Sequence, residues 1–126
     1  MDCVLRISGR SLDTKAVETT LGTRAYRIDI AGVGRATTNG LHYAVPAPSG
    51  QSTRSRRILE CLEWLSDGLG ISRIAARTDV DSIELDCGFV IDAEHLSATV
   101  GISLEAMSLA GRLGVSITIS VYRGDG

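Results

Sequence analysis

Six carboxylates crowd between residues 79 and 94: Asp79, Asp81, Glu84, Asp86, Asp92 and Glu94, with no lysine or arginine among them. They belong to a wider asymmetry. Residues 1–77 hold 11 basic and 7 acidic side chains and residues 78–126 hold 2 and 8, so the formal net charge of −2 conceals a basic part and an acidic one. Charge gathered in this way attracts a basic partner and speeds its arrival. The overall sign speaks against direct binding to nucleic acid. Glu84 and Asp86 fall on one face of a strand, with Asp79 and Asp81 just before it, and the plainer account is a solvated strand with its loops.

Other side chains capable of chemistry are sparse. His42 and His95 are the two histidines; neither has a carboxylate beside it in sequence to orient the ring, and no serine sits in a nucleophile-elbow context. His42 is expected on the wet face of its strand. Cys87 with His95, or Asp79 with Asp81, could begin a metal site, but no further ligands follow at a spacing that closes a coordination shell, so no metal or other cofactor is expected. Gly32-Val33-Gly34 follows a strand as a dinucleotide-binding turn does, yet lacks the third glycine and the helix that would aim backbone N–H groups at a phosphate. A turn is the expectation there. Arg54, Arg56 and Arg57 could clamp a phosphate or carboxylate; pairing of Arg56 with Glu60 one helical turn on is the simpler fate. Cys3, Cys61 and Cys87 are odd in number and far apart, which points to reduced thiols within a core. Trp64 falls beside Glu60 and Asp67 at the edge of a polar helix face, as rim cover for the core or as an anchor for a partner.

These residues need a scaffold, and periodicity outlines it. With 126 residues and 44% hydrophobic content the chain reads as one domain with one core. Cys3, Leu5 and Ile7 alternate with polar neighbours as a half-buried strand does. Leu12 before a capping Asp13, Val17 and a closing Gly22 define a short helix. Strands follow over residues 26–30 and 41–45, the second with Leu41, Tyr43 and Val45 facing one way. Residues 46–52, with Pro46 and Pro48, read as a loop. The longest helix spans residues 53–69, with Ile58, Leu62, Leu65 and Leu69 as its apolar stripe and Gly70 at its end. Residues 71–76 are expected as a strand, residues 82–87 as a clearer one. Ser103 caps a helix with Ala106, Leu109, Ala110 and Leu113 inward and Gly114 as its stop; residues 115–122 alternate as the last strand. The predicted fold is α+β: an antiparallel or mixed sheet of five or six strands with three helices on one face, arranged as two strand-helix-strand units around a central helix.

The run Leu5-Arg6-Ile7-Ser8-Gly9 into Ser11-Leu12-Asp13 and Leu21-Gly22, the central helix with Leu62 and Leu65, and Ile102-Ser103-Leu104 through Leu113-Gly114 to residues 117–122 resemble a family of small bacterial domains catalogued as domain of unknown function four-two-seven-nine. Members compared usually carry a tryptophan-serine segment where this chain has residues 41–45. The resemblance implies an α+β fold and supplies no catalytic residue. Some members look like immunity proteins of bacterial toxin systems. The expected function is therefore a non-catalytic protein-binding module, an immunity protein that occludes a toxin, with the acidic residues from 79 to 94 for steering and Trp64 or Tyr43 as buried anchors. The alternative is a small enzyme or small-ligand binder with its pocket near His42, Tyr43 and the 46–52 loop. Self-association through an unpaired edge strand is a third reading. No apolar run approaches a membrane span and the start lacks a basic segment followed by an apolar one, so a cytoplasmic protein without membrane contact is expected.

Overall fold

Apolar side chains at every second position make the first segment a strand, and topology makes it the centre of the fold. The computed structural model describes residues 2–46, 53–92, 94, 97 and 99–124. Strands β1 (Asp2–Gly9), β2 (Arg27–Asp29), β3 (Asn39–Ala44), β4 (Ser82–Ile91) and β5 (Ser116–Arg123) form one sheet in the order β2-β3-β1-β4-β5. All neighbours are antiparallel except β4 and β5, which run parallel. The sheet is thus mixed, one of the two forms that the α+β reading left open.

Cys3, Leu5 and Ile7 on β1, Leu41 and Tyr43 on β3, and Ile83, Leu85 and Cys87 on β4 turn to one face and are buried. That face receives every helix. Helix α1 (Thr14–Leu21) inserts Val17 and Leu21; α2 (Arg54–Glu63) inserts Ile58 and Leu62; α4 (Leu104–Leu113) inserts Ala106, Ala110 and Leu113, all in one continuous cluster with the strand residues. Burial of such a stripe, at about 25 cal/mol per Å² of apolar surface, is what holds short helices whose isolated stability is marginal.

The caps follow the sequence. Asp13, Thr53 and Ser103 each accept a hydrogen bond from the backbone N–H three residues on, and Gly22 and Gly114 close their helices with φ near +70°. The central helix continues past Glu63 as a π-helical segment, Trp64–Leu69, which keeps Leu65 and Leu69 in the core before Gly70 ends it in the left-handed region. The next segment differs from expectation. Residues 71–76 are not a strand; Ile71 and Ile74 are both buried, a spacing of three that suits the short helix α3 (Ser72–Ala75) and not an alternating ladder. β4 also runs four residues further than residue 87.

The two strand-helix-strand units do bracket α2, but they close differently. β4 and β5 pair directly across α4, whereas the strand after α1 is β2, at the far edge, with β3 between it and β1.

Candidate functional site

With the helices on one face, the polar positions of the strands form the opposite face. The register assembles them in rows. Arg27, His42, Arg6, Glu84 and Ser116 stand side by side across all five strands. On one flank of this row lie Gly40, Ser8 and Ser82, and on the other Ala44, Val4, Asp86 and Thr118. None of these pairings was visible along the chain, because each joins residues separated by strand order.

Arg6 is the pivot of the face. Its Nη1 donates to Glu84 Oε1 at 3.1 Å and also to Asp86 Oδ2. Thr118 Oγ1 donates to Glu84 Oε2 at 2.8 Å and Ser120 Oγ to Asp86 Oδ1 at 2.7 Å, so both carboxylates are held from β1 and from β5. Burial would raise the Asp86 pKa; Arg6 and Ser120 outweigh it and hold the carboxyl below the usual range. The same carboxylates raise the pKa of Arg6, Asp86 first.

A second cluster lies beside it. His42 Nε2 is 2.8 Å from Asp29 Oδ2, and Arg27 Nε donates to Asp29 Oδ1 at 3.1 Å. The His42 hydrogen bond, then that of Arg27, lowers the Asp29 pKa. His42 is not on a wet strand surface as expected: its side chain is 11% accessible, with Asp29 against it and the Tyr26 ring 6.2 Å away. Its orienting carboxylate exists, 13 residues back on the neighbouring strand. A groove across the face is lined by Arg6, Ser8, Asp29, His42, Ser82 and Glu84, among others. Ser8 and Ser82 are hydrogen-bonded to each other at 2.6 Å.

The acidic run does not make one contiguous outward surface. Asp79 accepts two hydrogen bonds from the Arg77 guanidinium, both 2.9 Å, and one from the Asp13 N–H at 2.9 Å. These bonds, Arg77 first, bring its carboxyl to about 2 from an ordinary 3.8. Asp81 accepts the Arg10 N–H at 2.9 Å. Both therefore tie the turn after β1 to the loop before β4. Glu84 and Asp86 lie on the open face under Arg6, while Asp92 and Glu94 are exposed beyond the other end of β4, about 30 Å along a ten-residue strand. The chain's own arginines answer at least three of these charges, those of Asp79, Glu84 and Asp86.

Tyr43, expected as an anchor that a partner would bury, already lies inside the core of the single chain. It is 3% exposed, its hydroxyl donates to the Thr23 carbonyl at 2.8 Å, and burial, then Glu18, pushes its pKa up to about 12. Adjacent residues of a strand point to opposite faces, so His42 and Tyr43 cannot line one pocket. Of the 46–52 loop, only Pro46 lies within the described residues; His95 lies outside them. Trp64 is half-buried and packs against the core, its ring over Gly68, where an added Cβ would come within 2.7 Å of it.

The arginines of the central helix are dispersed. Arg54 lies 4.4 Å over the Phe89 ring, Arg56 pairs with Glu60 at 3.1 Å as expected, and Arg57 is buried. Gly32 and Gly34, both at positive φ, form a turn that leads into β3 and not into a helix. The three cysteines are free and buried, with the sulfurs of Cys3 and Cys87 3.0 Å apart. Among the described residues no group of three or more His, Cys, Asp or Glu is placed to hold a metal, and no helix is long and apolar enough to cross a membrane.

The fold and this face define an α+β domain with one sheet side clothed by helices and the other left bare among the described residues. Compared with protein-family models, curated proteins and solved structures, the chain matches none.

Proposed function

We propose that the chain is a non-catalytic protein-binding module that works through the bare face of its sheet. The observation that carries this reading is the cross-strand row Arg27, His42, Arg6 and Glu84, held in place by internal hydrogen bonds and ion pairs although no element among the described residues covers it. Side chains already fixed in one arrangement lose little freedom on association, which favours affinity and register. The face bears Asp2, Asp29, Glu84 and Asp86 against Arg6 and Arg27, a mild excess of negative charge suited to a basic partner. The family resemblance is what supports a bacterial toxin as that partner and an immunity protein as the role. Steering then comes from Glu84 and Asp86 as a unit with Arg6, not from the whole run between 79 and 94.

The test is co-purification with the product of the adjacent gene, followed by measurement of the complex. Ala44→Arg places a bulky cation on the exposed part of this face without touching an ion pair, and Thr19→Arg does the same on α1. Ala44→Arg is expected to weaken the complex at least tenfold, and Thr19→Arg to leave it unchanged. A complex indifferent to Ala44→Arg and to Glu84→Lys with Asp86→Lys would overturn the reading.

A further inference from the structure

The outer edge of β5 has no strand beside it among the described residues, and it is built unlike a protected edge. It is eight residues long, Ser116–Arg123, and residues 116–122 contain no charge and no proline. Natural proteins guard such edges with lysine, proline, bulges or shortness, and β2, at the opposite edge, is guarded by its three-residue length. We propose that a second copy of this chain pairs antiparallel with β5, joining two five-stranded sheets into one.

The strand is complementary to itself about Ile119. A two-fold axis there sets Ile117 opposite Val121 of the second copy on the helix side, and Thr118 opposite Ser120 on the bare side, so apolar meets apolar and hydroxyl meets hydroxyl. Val121 is 53% exposed in the single chain, an apolar residue at a strand position that pairing would cover. The helix above the edge matches. Glu105, Ser108, Leu109 and Arg112 line the groove that α4 shares with Leu59 and Glu63 of α2. At 100° per residue, Met107 falls about 60° outside this lining, which also includes Leu104, on the flank of α4 turned away from α2. Met107 is 48% exposed, and an added Cβ at Gly111 would meet nothing within 4 Å. In the pair, two antiparallel copies of α4 would face each other across the joined strands, with Met107 of each on the facing flank. The product would carry two bare faces side by side, independently of what those faces bind.

Light scattering and sedimentation from about 10 µM to about 1 mM test the pairing. The unmodified chain is expected to reach twice its 13.3 kDa mass. Val121→Lys and Met107→Asp, each at an exposed site, are expected to return it to the single-chain mass with its thermal melting retained. Should Val121→Lys fail to fold, Met107→Asp decides alone. A single-chain mass at the highest concentration, or a doubled mass that survives both substitutions, would overturn the proposal.

Discussion

Arg6 changes how the acidic run must be read, because one guanidinium on the central strand engages two of its carboxylates. Asp79 has a partner of its own in Arg77, and its depressed pKa carries a stability consequence with a definite sign. A carboxyl that falls from 3.8 unfolded to about 2 folded favours the native state throughout the range above 3.8; that contribution fades as pH drops toward about 2. Asp79→Asn is accordingly expected to lower the melting temperature at neutral pH and to flatten its decline between pH 4 and pH 2. Melting curves of both proteins across that range check it; parallel curves would show that the Arg77 pair contributes nothing. At this scale little of the candidate site was legible. Glu84 and Asp86 could be placed on one strand face by alternation alone, but Arg6 and Asp29, the residues that organise the face, are 78 and 13 positions from the groups they hold. Their role depends on strand order, which no local pattern encodes.

Elements were far more readable than their partners. The caps at Asp13 and Ser103 and the stops at Gly22, Gly70 and Gly114 came from local chemistry, since a side-chain acceptor satisfies orphan N–H groups and glycine enters the left-handed region without strain. α3 escaped because four residues are too few for periodicity to distinguish a turn of helix from a short strand. One glycine has a different duty. A Cβ on Gly9 would stand 2.0 Å from the Asp79 carbonyl oxygen, where the turn leaving β1 crosses the loop before β4. Backbone cannot step aside as a flexible side chain can, so Gly9→Ala is expected to destabilise by about 1–3 kcal/mol. Urea unfolding would read this as a lowered midpoint at unchanged slope, and an unaltered midpoint would refute the crowding.

The whole molecule keeps its three thiols in one place. Cys3, Cys61 and Cys87 come from β1, α2 and β4, and each is at most 4% exposed. Hydrogen bonding to Cys3, then burial, pushes the pKa values of Cys61 and Cys87 up, and the same bonds pull that of Cys3 down, so burial is what shields all three from a reagent. An aromatic disulfide reagent is expected to find none of the three in the native protein and all three together in denaturant. Rapid modification of any one under native conditions would show that the core opens locally.

The place of β1 has one further effect, on how the chain comes to be folded. This strand precedes both of its neighbours in the chain, β3 and, some 80 residues later, β4. Until residues 82–88 have been synthesised, about half the hydrogen-bonding groups of β1 have no native mate. Closing so wide a loop costs entropy before any contact repays it, which places the committed step after β4 has been synthesised and makes acquisition of structure slow relative to a helical bundle of similar size.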